Sequence, residues 1–334
     1  MVLKEKKNFF QFFPTPEYLL LSTCGVSITE ESIKFVQFKH SLFSESLKLA
    51  NNTKITLPIG VMQAGSINDA TKLTFALKEI VEKYGIHYVK ATLPEEKAYL
   101  FTTTIDKVPK EGLRDAIAFI LEENVPLALV DAVFDFDVIE ELKDAGKLRV
   151  TVVVLPKKVV EHYIQTFEAA GITPVSFDLE SQAIARALIA KGDKRTQMII
   201  NLSPKKTGFY VVEDGVVQFT ITLPVGANSG IPTSANDLKA EMQKVLAFWS
   251  TRNIKVGIPE RKIERVLLSG VNATNNSFTS ELVKDFPVPH EFANPWANVS
   301  NDLKNLSRSD ISQDALDYAP AIGVALPTGI KTYV

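Results

Sequence analysis

The apolar and polar positions follow the same rhythm at two places far apart in the chain. Around the polar tip Thr29–Ser32, the residues Val26 and Ile28 on one side and Ile33, Phe35 and Phe38 on the other recur at strand spacing. That pattern predicts two short strands and a turn. The segment 198–215, MIINLSPKKTGFYVVEDG, repeats it: apolar strand, polar tip, apolar strand. An Asp214–Gly215 turn then leads into VVQFTITLP, which predicts a third strand. A hairpin that returns in this way points to a duplicated fold.

Between the two hairpins the period changes repeatedly. KITLPIGVM (54–62) reads as a strand, and 66–85 as a helix with Asn68 as N-cap and Gly85 as its stop. Leu73, Leu77, Ile80, Val81 and Tyr84 fall on one face of that helix. Two strands, HYVKATLP and KAYLFTTTID, precede a second amphipathic helix at 109–126, opened by Pro109. AVFDFDVI (132–139) is a further strand, so 56–139 is expected to be a compact β-α-β-β-α-β unit. From RVTVVVLP onward a β-α-β-α order follows to Leu188, which implies a parallel sheet covered by helices. The segment 234–252 predicts a helix with Ser234 and Asp237 as a capping box, and Leu238, Met242, Val245 and Trp249 as its inner stripe. A small-residue helix closes the chain at 315–328, where Gly323 permits close packing.

Composition narrows the function classes. The 334 residues suffice for about two domains. A net charge of −2 excludes a general basic field for nucleic acid. No apolar run reaches the length of a membrane span. Residues 1–17, with their Lys and Phe residues, read as an N-terminal tail without the apolar region of a signal peptide. Cys24 is the one cysteine, which excludes an internal disulfide and suits a cytoplasmic protein. His40, His87, His162 and His290 lie on different elements without ligand spacing, so no zinc site is expected. Asp135 and Asp137 alternate on a strand and read as an exposed face rather than an acid–base pair. No G-x-S-x-G motif is present. Trp249 and Trp296 read as packing anchors, not as base-stacking platforms.

Several segments in one order carry a family resemblance: GVSITEESIKFVQF (25–38), NVPLALVDAVFDFDVI (124–139), AAGITPVSFDLESQAIARAL (169–188), the hairpin at 198–215, LLSGV (267–271), NPWANV (294–299) and YAPAIGVAL (318–326). Together they resemble the PilM family, actin-like proteins of type IV pilus assembly related to the division protein FtsA. The resemblance implies an α/β, actin-like (ribonuclease H-like) duplicated fold with an inserted small α+β subdomain. The first half would comprise 18–55 and 140–195 closed by helix 315–328, the insert 56–139, and the second half 196–314 with a shortened outer subdomain.

A nucleotide cleft needs hairpin tips that offer N–H groups, acids that hold hydrated Mg²⁺, and a glycine-rich loop beside the base. By the resemblance, the first tip has Ser27 where an acid is usual and Thr29 where glycine is usual. The second tip has Asn201 and Ser203 there, followed by Pro204, and the adenosine loop keeps only Gly270. Between 226 and 234 only a short loop stands where the family has a helical insertion. Ser32, Lys34, Ser203, Lys205, Lys206 and Thr207 read as solvated turn residues with residual anion-binding capacity. The set Ser27, Thr29, Ser32, Lys34, Asn201, Ser203, Thr207 and Gly270 is therefore expected to be a vestigial nucleotide site. Neither enzymatic activity nor a cofactor is expected; the alternatives are a Mg·ATP-dependent actin-like ATPase of pilus assembly or cell division and, more distantly, a sugar-kinase-like enzyme.

The resemblance also implies a cytoplasmic scaffold, peripheral at the inner face of the membrane, that holds the cytoplasmic N-terminal tail of a PilN-like bitopic protein and is capable of self-association. The tail is expected in a groove between the first half and the insert, walled by 90–101 and 114–123. Leu93, Tyr99, Phe101 and Phe119 are the apolar candidates there, and each equally suits the small subdomain's core.

Overall fold

A computed structural model describes residues 23–41, 44–226, 235–255, 261–274, 276–299 and 313–327. The first sheet begins with three antiparallel strands, β1 (Thr23–Ile28), β2 (Ser32–Ser41) and β3 (Ser44–Thr56). A two-stranded ribbon, β4 (Met62–Gln63) and β5 (Ser66–Ile67), leads into helix α1 (Ala70–Tyr84). The sequence pattern suggested Asn68 as the cap of α1. The cap is Asp69, whose carboxylate accepts the Lys72 N–H at 3.0 Å, one residue nearer the first turn. Gly85 ends the helix at φ 64°, a left-handed conformation that suits glycine.

Strand β6 (Tyr88–Leu93) then enters the first sheet beside β1, parallel to it, and β10 (Thr173–Leu179) completes the order β3-β2-β1-β6-β10. This redraws the boundary expected at 56–139. β6 lies inside the main sheet, and α1 packs against that sheet together with α3 (Lys157–Ala169). The separate unit is a three-stranded sheet in the order β7-β9-β8, made of β7 (Tyr99–Asp106), β8 (Ala132–Leu142) and β9 (Lys147–Pro156), with α2 (Leu113–Asn124) on one face. Hydrophobic periodicity reports which residues are buried, not which strand they pair with. The runs YVKATL and KLRVTVVVLP therefore exchanged their expected places.

The second half repeats the first sheet's plan. β11 (Gln197–Leu202), β12 (Thr207–Glu213) and β13 (Val216–Leu223) are antiparallel, while β14 (Arg265–Ser269) and β15 (His290–Phe292) run parallel to β11. The order β13-β12-β11-β14-β15 matches the first sheet strand for strand. Helices α5 (Ala235–Lys255) and α6 (Asn276–Val283) cover it, with Leu238, Met242, Val245 and Trp249 buried along α5. Ser234, proposed for a capping box on α5, lies outside the described residues, as do the N-terminal tail 1–17 and the shortened loop before the helix.

Two helices cross between the halves. α4 (Glu180–Leu188) follows the last strand of the first sheet and packs on β12 and β13. After α7 (Gln313–Asp317), α8 (Ala319–Ala325) returns to pack on β1 and β6. The two helices touch at Gly323, where a Cβ would overlap the Ala183 backbone, and Gly25 admits α8 onto β1 in the same way. All seven residues of α8 are buried. At about 25 cal/mol per Å² of apolar surface, burial on this scale is what joins the two sheets.

Candidate functional site: the cleft between the sheets

In both sheets the parallel strands end at the side that carries the first hairpin's tip. β1 runs parallel to β6 and β10, so the tip after Ile28 lies level with Leu93 and Leu179. β11 runs parallel to β14, so the tip after Leu202 lies level with Ser269. The carboxyl ends of parallel strands, beside helix N-termini, are where open α/β sheets take ligands. This is the candidate site.

The first tip is closed on itself. The Thr29 N–H donates to the Ser32 carbonyl at 2.9 Å, the Thr29 hydroxyl donates to the same oxygen at 3.1 Å, and the Ser32 N–H donates back to Thr29 Oγ1 at 3.2 Å. Ser27 is buried, and its hydroxyl has no hydrogen-bond partner among the described residues. Lys34 is not a solvated turn residue, as its sequence position suggested. It is 4% exposed and its Nζ lies 2.8 Å from Asp317 Oδ1 on α7, so its charge is matched within the protein.

The second tip is equally self-contained. The Ser203 N–H donates to the Lys206 carbonyl at 3.0 Å, and the Asn201 amide donates to Ser203 Oγ at 3.3 Å. The Thr207 hydroxyl donates to the Val225 carbonyl at 2.7 Å. Gly226 lies against the carbonyls of Ser203 and Pro204, where a Cβ would not fit. Pro204 has no N–H to offer. Gly270, at φ 87°, sits against the backbone of Leu202, so its freedom serves contact with β11.

Lys206, at the end of this tip, is the residue whose environment differs most from expectation. Its side chain is 14% exposed, and its Nζ lies 2.9 Å from Glu96 Oε1 and 2.5 Å from Glu180 Oε2. Burial opposes its charge, but Glu180, Glu96 and Tyr210 outweigh burial and hold its pKa well above the ordinary lysine value. Glu95 stands beside this pair. Its Oε2 accepts the Ser181 N–H at 3.1 Å and its Oε1 lies 3.0 Å from the Ser181 hydroxyl. Burial pushes the Glu95 carboxyl up to about 7; hydrogen bonds from Ser181 and Thr220 act against that rise, and the charge of Glu180 adds to it. Tyr210 is fully buried, and burial together with Glu180 and Glu95 raises its phenol well above the usual value.

Sequence reasoning missed Glu95, Glu96, Glu180 and Ser181. Their signal was position: each follows directly on a parallel strand, β6 or β10. Placing β6 in the insert hid half of that signal. The donor set does not suit a magnesium nucleotide. The tip positions expected for acids are Ser27 and Asn201, Thr29 and Ser203 spend their N–H groups within the tips, and Glu96 and Glu180 lie against a lysine. Among the described residues no group of His, Cys, Asp and Glu has the arrangement to hold a metal ion.

The expected partner groove is partly dismantled. Leu93 is 4% exposed and belongs to the core of the first half, in a strand with neighbours on both sides. Phe101 packs against the insert's core. The other edge of β7 faces the second half, where the Thr102 hydroxyl donates to Gln218 Oε1 at 3.1 Å and Arg252 Nη2 donates to the Thr102 carbonyl. Tyr99, 38% exposed, and Phe119, 82% exposed on α2, remain open. The outer edge of the insert sheet is β8.

The model of the family described as "Type IV pilus assembly protein PilM" matches residues 25–230. The chain belongs to the PilM family. Among solved structures it is similar to a chain of the "PilM-PilN type IV pilus biogenesis complex", at 19% identity and a TM-score of 0.74, with 90% of this chain and 97% of that chain covered. The cytoplasmic domain of EpsL, an inner-membrane component of the type II secretion system of Vibrio cholerae, matches at 12% identity and a TM-score of 0.49 over 90% of this chain and 94% of that one. The ethanolamine utilization protein EutJ from Carboxydothermus hydrogenoformans matches at 12% identity and 0.47 over 94% and 90%. No curated protein matches the sequence. The PilM likeness establishes the fold, which is actin-like, as the duplicated sheets and crossing helices show. Among the described residues no helix is long and apolar enough to cross a membrane.

Proposed function

We propose that this PilM-family protein is a non-enzymatic cytoplasmic scaffold of a type IV pilus platform, which holds the cytoplasmic tail of a PilN-like membrane protein and hydrolyses no nucleotide. The observation that carries the reading is the second hairpin tip. Asn201 stands where an acid is needed, its amide bonds to Ser203, and Pro204 and Gly226 close the loop over its own carbonyls. A phosphate approaching this tip finds the Ser203 N–H already given to the Lys206 carbonyl, no N–H at Pro204 and no metal-bearing carboxylate at Asn201. The similar solved structure is a complex of PilM with PilN, which supports the choice of partner.

The tail is an extended or helical segment that pairs with an open strand edge or an apolar helix face. The open edge is β8, and the exposed apolar residues near it on the same subdomain are Phe119, Leu129 and Val130. Two measurements test the reading on the full chain. Millimolar Mg·ATP should leave the melting temperature unchanged, whereas a ligand at one hundred times its Kd adds about 2.7 kcal/mol of stability. A peptide from the cytoplasmic end of the neighbouring bitopic protein should bind the full chain and lose at least about tenfold in affinity with Phe119→Glu, since burying an unpaired charge costs more than 1.4 kcal/mol. A clear Mg·ATP shift refutes the scaffold reading, and unchanged peptide binding removes α2 from the interface.

A further inference from the structure

We propose that Lys206 is a resident cation that clamps the hinge of the inserted subdomain and so fixes the orientation of that subdomain to the first sheet. The proposal deepens the reading above, since the clamped subdomain is the one assigned there to the partner tail. The hinge is Pro94–Ala98, the short turn by which the chain leaves β6 and enters β7. Its Glu96 is bound to Lys206 of the second half, and its Glu95 to Ser181 at the start of α4. Lys206 also binds Glu180, the residue that opens α4. One ammonium group therefore ties together three elements: the hinge, the helix that crosses between the halves and the tip of the second hairpin.

The subdomain has a second anchor at its other end, also on the second half. Arg149 of β9 lies 2.6 Å from Glu213 on β12 and 2.8 Å from Glu140 on β8, and Arg261 binds the same two acids. Thr102 and Thr151 both donate to Gln218 on β13. With both ends bound to the second half, the subdomain can turn against the first sheet only if one anchor opens. The anchor at Lys206 is the one with an excess of acid. Around a single ammonium stand Glu96 and Glu180, faced by Tyr163 and Tyr210. Removing that charge leaves the buried Glu180 facing Glu96 without a counter-ion, which drives the two carboxylates apart or Glu180 into protonation.

Amide hydrogen exchange on the full-length protein without partner tests this. Lys206→Met keeps the stem and removes the charge. It should raise exchange by at least about tenfold over 94–106 while the core strand 197–202 keeps its protection, because local opening then lies far below global unfolding in free energy. The triple variant Lys206→Met, Glu96→Gln, Glu180→Gln removes charge from all three partners and should restore protection over 94–106. Unchanged exchange over 94–106 in Lys206→Met overturns the proposal. So does exchange that rises equally in the core and is not rescued by the triple variant, because Lys206 is then an ordinary stabilising residue. The readout needs neither nucleotide nor tail, so failure of the scaffold reading leaves it standing.

Discussion

The two sheets have the same strand order and end in hairpin tips of opposite behaviour. In the first tip Thr29 and Ser32 bond to one another, and Glu30 and Glu31 accept the N–H groups of Ala64 and Leu57 within the same half. The second closes its backbone in a similar way but sends Lys206 across the cleft to Glu96 and Glu180. The strand order rests on buried rows such as Val26, Phe35 and Val89 in one half and Ile200, Phe209 and Leu268 in the other. Those rows tolerate only apolar residues of suitable size. The tips are outside both cores, so their chemistry can diverge while the sheets stay alike. In this chain the second tip carries a cation of its own, Lys206, into the cleft.

The largest expected effect tests the opposite end of the insert from the cleft. Arg149→Met leaves Glu213 and Glu140 with Arg261 alone in a site where Arg149 and Glu213 are 2% and 1% exposed. Stability should fall by about 3–5 kcal/mol in urea titrations, and a loss under about 1 kcal/mol would mean that the insert is held by apolar contacts instead.

Glu95 tests the cleft itself. Its carboxyl titrates near 4.5 when unfolded and at about 7 when folded, so the folded state holds the proton more tightly. The resulting stabilisation is full below pH 4.5 and is lost as pH rises through about 7, on the order of 3 kcal/mol in all. Glu95→Gln should therefore flatten the stability profile between pH 5 and 8, with the wild type losing ground to the variant toward pH 8. Parallel profiles would show that Glu95 is ionised throughout.

Gly323→Ala places a Cβ into the Ala183 backbone and should cost about 2 kcal/mol by forcing α8 from α4, read as a lower melting temperature. The smallest effect belongs to the first tip. Thr29→Ala removes bonds confined to one turn and should cost about 0.5–1 kcal/mol with no change in exchange over 94–106. If Thr29→Ala instead opens the hinge as Lys206→Met is expected to do, the contrast between the tips fails.

Particular residues show where reading the sequence reached its limit. The repeated hairpins were legible because alternation at Val26–Phe38 and at 198–211 is local. Gly85 and Gly323 were legible because a helix stop and a small-residue face leave a local mark. The insert boundary was not. YVKATL and KLRVTVVVLP have similar apolar content, and nothing within either run says that one joins β1 and the other joins β7. Lys34 and Lys206 were assigned to solvent because lysines at turns usually lie there. Their acids come from residues far away in the chain: Asp317 for one, Glu96 and Glu180 for the other.

By itself the sequence determined the period of each element, the duplication, the absence of acids at Ser27 and Asn201, and the family. All of these are properties of neighbours along the chain or of residue identity. Only the tertiary structure decided which strands form the insert, that β8 rather than β7 offers the open edge, and that Lys206 meets Glu96 and Glu180. Strand pairing and ion pairing across long loops depend on where whole sheets pack, and that is settled by the summed burial of both cores rather than by any one segment.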